Sequence, residues 1–169
     1  IKLDGNYPTG TDNVALGNTA LDSITTGAGN IAIGDSAATA LTTGSNAVAI
    51  GRDAMNGAVF TGTDAVAVGR STLASLTSGN NNVAVGALAL NANTTATGNT
   101  AVGDVAGYSN TTGANLAAFG RYALYSNTTG SSNTGLGFQS LFSNTTASNN
   151  TAVGYQAGYS NTTGLVTAV

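Results

Sequence analysis

One short phrase returns down this chain at a fixed interval. NVALG, NIAIG, AVAIG, AVAVG, NVAVG, NTAVG, LAAFG, NTGLG and NTAVG close in turn on Gly17, Gly34, Gly51, Gly69, Gly86, Gly103, Gly120, Gly137 and Gly154. The step is 17 residues, with a single step of 18 between Gly51 and Gly69. A unit this short cannot bury an apolar face by itself, so its copies must stack, and the repeat decides the architecture before local propensity does. The longest echo, NTAVGDVAGYSNTTG at 99–113 and NTAVGYQAGYSNTTG at 150–164, is offset by 51 residues, three periods.

Within one unit, alternation sends the first and third residues of each phrase to one side and the second to the other. The first side carries pairs such as Val14/Leu16, Ile31/Ile33, Val48/Ile50 and Val83/Val85; the second carries Ala15, Ala32, Ala49, Ala67, Ala84, Ala101, Ala118, Gly135 and Ala152. A strand with no polar side needs cover on both. A second apolar pair follows the anchor glycine, as in Ala20/Leu21, Ala89/Leu90 and Ala123/Leu124, and then TTG or NTTG turns the chain. Frequent Gly and β-branched Thr disfavour helix. The spacing therefore predicts two short strands and two turns per coil, stacked as a parallel β-solenoid of nine coils over residues 13–164. At the spacing of hydrogen-bonded strands such a rod is about 40 Å long. Residues 1–12 read as an N-terminal cap or linker. Residues 165–169 open a further coil that stops short of its glycine, so the stack is expected to run on in the whole protein. The start, IKLDGNYPTG, reads as that of a mature or excised fragment.

Stacking puts like residues above one another. Asn93, Asn110, Asn127, Asn144 and Asn161 are predicted to form an amide ladder inside the turn. Small residues suit the thin interior, which leaves the Val/Ile side facing out. A wet apolar stripe of that length is more than a monomer tolerates, so self-association is expected.

Composition removes several functions. Of the 169 residues only 7% are charged, and the net charge is −3. Without basic clusters to neutralise phosphates, nucleic acid is not an expected partner. No apolar run reaches the roughly 18 residues of a spanning helix, so membrane insertion is not expected. Cys and His are absent, and the seven acidic residues are all Asp. They lack calcium-loop spacing, and general acids, bases and nucleophile partners are missing. No catalytic, metal or cofactor-binding set is predicted, and the chain does not read as an enzyme.

NAVAIG at 46–51 and NVAVG at 82–86 resemble the head repeats of YadA-like trimeric autotransporter adhesins. NTAVGYQAGYSNTTG is similar to repeats of bacteriophage tail fibres, including those that precede a self-cleaving chaperone domain. The resemblance covers roughly residues 13–164. It implies a left-handed parallel β-roll, a homotrimer, and an extracellular place on a virion or a bacterial surface. It implies a structural or receptor-binding rod in a phage tail fibre or spike, with host attachment to a cell-surface glycan or protein. The alternative within that class is a bacterial adhesin head.

Other columns leave choices open. Tyr108, Tyr125, Phe142 and Tyr159 fall in register five residues after the anchor and are candidate receptor contacts, able to offer faces to sugars or to pack on one another. Asp35 with Arg52, and Asp104 with Arg121, are one coil apart and read as salt bridges or as a charged receptor site. The NTT triplets match a glycosylation acceptor but also suit turn chemistry. The Thr-Thr columns raise ice binding as an alternative of another kind. Neighbouring Thr residues point opposite ways, so at most one column faces out, and Val59/Phe60 and Ser78 interrupt the ladders.

Overall fold

The computed structural model describes residues 10–57 and 59–169. Each anchor phrase forms a strand: β1 (Val14–Leu16), β2 (Ile31–Ile33), β3 (Val48–Ile50), β4 (Val66–Val68), β5 (Val83–Val85), β6 (Thr100–Val102), β7 (Ala117–Phe119), β8 (Thr134–Leu136) and β9 (Thr151–Val153), followed by β10 (Thr167–Ala168). They build one ten-stranded parallel sheet in chain order, with no helix among the described residues. The protein is an all-β parallel solenoid. Register keeps like on like: Ala32 pairs with Ala49, Ala49 with Ala67 and Ala67 with Ala84. The N-terminal cap or linker expected over residues 1–12 lies, up to residue 9, outside the described residues. At the other end β10 pairs with β9, so residues 165–169 carry a strand on the ninth coil.

The second strand expected in each coil is absent among the described residues. After the anchor glycine the chain runs through a turn in which alternate residues are left-handed, as in Thr19 (φ 56°) and Leu21 (φ 55°), or Tyr122 (φ 60°) and Leu124 (φ 52°). Hydrogen bonds between coils continue without a strand. Leu124 N donates to Ser140 O at 2.9 Å, and Ser36 N donates to Asn18 O at 2.8 Å. A left-handed non-glycine residue costs about 1–2 kcal/mol. Burying a Leu side chain contributes about 1.5–3 kcal/mol, and Leu73, Leu90, Leu124 and Leu141 are fully buried. Burial therefore outweighs the strain, and propensity is overridden.

Those leucines also correct the expectation that only small residues fit inside. The Ala side of the sheet forms one wall, and the Leu column stands against it. The column makes room for itself with small members: Ala38, Gly107 and Gly158 occupy the Leu position of their coils. A Cβ on Gly107 would sit 2.8 Å from Leu90 Cδ2, and one on Gly158 would sit 2.9 Å from Leu141 Cδ2. The large side chain of one coil thus fills the gap left by the next. Gly107 and Gly158 are equivalent members of the 51-residue echo, which gives that longer period a packing reason.

The anchor glycines have another one. Gly86 has φ +128°, and a Cβ there would lie 2.5 Å from the carbonyl oxygen of Gly103. Successive coils approach backbone to backbone at this corner, and only glycine allows it. The coil of 18 residues absorbs its extra residue without losing stacking. Phe60 pairs with Leu41, its carbonyl accepts from Thr42 N and Gly44 N, and its ring is fully buried between Gly44 and Gly62.

Candidate functional site

The predicted amide ladder is present and closed. Asn110 Nδ2 donates to Asn93 Oδ1 (3.0 Å), Asn127 to Asn110 (2.9 Å), Asn144 to Asn127 (2.8 Å) and Asn161 to Asn144 (3.1 Å). Each of Asn110, Asn127 and Asn144 also donates to a carbonyl three residues on. Asn93 to Asn144 in this column are fully buried, so these members of the NTT triplets are structural and offer no acceptor to a glycan in the folded chain. In coils one, two and four the same position holds Ile24, Leu41 and Leu76, all buried. The ladder is thus built on an aliphatic base.

A second Asn column was not singled out in the sequence. It precedes the strands and includes Asn30, Asn82, Asn99, Asn133 and Asn150, all buried. Here the side-chain oxygen accepts the backbone N–H one coil on, as from Leu116 N to Asn99 Oδ1 (2.9 Å). The amide nitrogen reaches the turn, as from Asn99 Nδ2 to Gly113 O (2.9 Å). The signal was the recurring Asn that opens NVALG, NIAIG, NVAVG and NTAVG. It was hidden because Ala47, Ala65 and Leu116 replace it in three coils.

Three surfaces remain for function. The first is the outer side of the sheet. The middle residue of each strand from β2 to β9 is buried and its flanking residues are half-buried or exposed, as expected. Val14, Ile31, Ile33, Val85, Val102, Phe119 and Leu136 are among the exposed large apolar residues. The position before the central residue turns from Val or Ile in β1–β5 to Thr in β6, β8 and β9, while the position after it stays apolar throughout.

The second is aromatic. Tyr108, Tyr125, Phe142 and Tyr159 are brought together as one stack, with centroids 5.4, 5.2 and 5.0 Å apart and planes within 9°. Phe138 and Tyr155 form a shorter stack at 5.5 Å. Tyr122 links the two, standing edge-on to Tyr125, Phe142 and Phe138. The inner faces of these rings are spent on each other. What the stack offers outward is edges and hydroxyls, with Tyr159 the most exposed of its four rings.

The third is hydroxylic. Six first members of the TT columns are turned to the backbone: Thr25, Thr77, Thr94, Thr111, Thr128 and Thr145 donate Oγ1 to the carbonyl of their counterpart one coil on, at 3.0–3.3 Å. The second member is exposed in every coil: Thr26, Thr43, Thr61, Ser78, Thr95, Thr112, Thr129, Thr146 and Thr163. One column faces out, and Phe60 replaces a Thr of the inner one.

Charges flank the strands. Asp104 and Arg121 are joined as predicted, with Nε 3.2 Å from Oδ2. The Asp35–Arg52 pair does not form. Arg52 turns to Asp53 within its own coil (3.8 Å), while Asp35 accepts from Asn18 Nδ2 (3.2 Å). The nearer carboxylate competes successfully because an exposed pair contributes only about 0–1 kcal/mol, too little to hold a long side chain in one direction. Among the described residues no group of three or more acidic, His or Cys side chains is placed to hold a metal ion, and no helix is long and apolar enough to cross a membrane. The chain matches no protein-family model, no curated protein and no solved structure.

Proposed function

We propose that the chain is the structural rod of an extracellular fibre, a left-handed β-roll that assembles as a homotrimer and carries or forms a host-attachment surface, as in a phage tail fibre or spike. The observation that carries this reading is the outward apolar side of the ten-stranded sheet. At about 40 Å long and about 10 Å wide by strand dimensions, it amounts to roughly 400 Å² per chain, the size at which an apolar patch marks an interaction site. Two such stripes face to face bury about 800 Å², below the roughly 1,200 Å² at the lower end for stable interfaces. Three stripes around one axis bury about 1,200 Å² in all, about 400 Å² from each chain, and cover every stripe at once. The lack of polar chemistry elsewhere fits a passive rod, and the aromatic stack in coils six to nine is the surface on it that best suits a receptor. A bacterial adhesin head shares the same features.

Light scattering on the purified chain, followed by binding to bacterial cells and glycan arrays, tests this. A trimer that binds cells, and loses binding with Tyr125→Ala and Tyr159→Ala while keeping its melting temperature, is the expected result. A folded monomer at micromolar concentration would overturn the assembly. Variants that bind unchanged but melt earlier would make the stack purely structural. The exposed Thr column favours one second reading, ice binding, which a thermal-hysteresis measurement decides: activity on the wild type that is lost with Thr112→Val and Thr129→Val would replace the fibre.

A further inference from the structure

The apolar stripe is bordered on both sides, and the borders differ. On the approach to the strands lies a column of exposed residues that includes Asp12, Asn46 and Asp64. On the exit, one residue past the anchor glycine, lie Asp35, Arg52 and Arg70. In coil four the two borders carry opposite charges, Asp64 before Val66–Val68 and Arg70 after it. Among the described residues Asp64 meets no cation; it accepts only from Asn46 Nδ2, at 3.2 Å. Among the described residues Arg70 meets no anion either; Asp53 pairs with Arg52 and Asp104 with Arg121. Arg70 also follows Arg52 in the same column one coil on, an arrangement of like charges that is unfavourable in a sheet. Asp64 and Arg70 cannot relieve each other within one chain, because the strand separates them by six residues, roughly 20 Å of extended backbone.

We infer that the partner of this stripe is a second copy of the chain, parallel and in register, with Asp64 of each copy paired to Arg70 of the next. The inference rests on the proposed self-association. When parallel copies turn their stripes toward a common axis, the approach border of one meets the exit border of its neighbour at the same level. Coil four then brings carboxylate to guanidinium at every seam, and coil three brings Asn46 beside Arg52. An antiparallel arrangement brings coil four against a different coil and leaves both charges unmet. A slip by one coil sets Asp64 beside Arg52, which Asp53 already holds, or beside Ala87. From β1 to β5 the apolar stripe changes little between neighbouring coils, so it does not by itself select against a slip of one coil there; the charged borders do.

The test is charge reversal at the two borders. Asp64→Arg, Arg70→Asp and the double variant are compared with the wild type by sedimentation equilibrium at low and high salt, with far-ultraviolet circular dichroism as a check on folding. Both positions are exposed, so all variants are expected to fold. Each single reversal is expected to weaken association about threefold per seam, on the order of 30-fold for a closed ring of three. The double variant is expected to recover it, and the advantage of wild type over the single variants should shrink at high salt. Single variants that associate like wild type, or a double variant no better than the singles, overturn the register lock while leaving the stripe as the interface. A wild type that stays monomeric overturns both.

Discussion

Asn127 shows what one residue does in a stacked ladder. Its amide donates to Asn110 and to Gly130 O, and its oxygen accepts from Asn144, all in a fully buried column. Its oxygen also accepts from Asn133 at 3.3 Å, so replacing it with Leu takes a partner from three buried amides, each lost partner costing about 1–3 kcal/mol. Asn93 stands at the foot of the ladder, where Leu76 is the buried member one full coil earlier and only Asn110 bonds to its side-chain oxygen. Asn93→Leu is therefore expected to cost about 1–2 kcal/mol and Asn127→Leu about 3–4 kcal/mol. Chemical denaturation of the two variants checks the difference; equal losses would mean that the ladder contributes nothing as a ladder.

At the level of the coil, packing runs between neighbours rather than within one unit. Leu90 fills space that Gly107 leaves open, so Leu90→Ala empties a site shared by two coils and is expected to cost about 3 kcal/mol. Gly107→Leu is expected to cost about 2 kcal/mol by overpacking. The two together should cost less than their sum, because Leu124 shows that the backbone at this position accepts Leu at φ 52°. A double-mutant cycle from unfolding curves reads this coupling, and strict additivity would refute the shared site. The missing second strand belongs to this scale too. The Ala-Leu pair looks like strand in sequence because both residues are apolar. It becomes a left-handed turn because the Leu must reach the core from a coil that has to close within 17 residues.

For the whole molecule, the proposed self-association through the apolar stripe would separate folding from assembly. Val85 is 36% exposed on the single chain, so its replacement by Asp removes little from the solenoid's own core. In an assembled rod the same carboxylate would be buried without a partner, costing several kcal/mol at each seam. If the proposed trimer forms, Val85→Asp is expected to yield a folded monomer, with an unchanged circular dichroism spectrum and one third of the wild-type mass by light scattering. A variant that stays trimeric would place the interface on another side of the rod.

The sequence by itself determined the solenoid, the coil length, the parallel register, the Ala wall and the first amide ladder. Each follows from the period, because stacked copies align identical positions whatever the details of the turn. It limited the outward-facing Thr columns to at most one, since alternation turns neighbouring residues opposite ways. Only the tertiary structure decided what fills the interior, which backbone the second segment adopts, and which charged neighbours pair. Leu90 against Gly107 is a contact between coils, the left-handed residues are held by burial that outweighs propensity, and Arg52 turns to Asp53 rather than Asp35 because a weak exposed attraction does not hold a long side chain in one direction. Those outcomes depend on three-dimensional distances, and a repeat fixes the order of residues in a column without fixing how far their side chains reach.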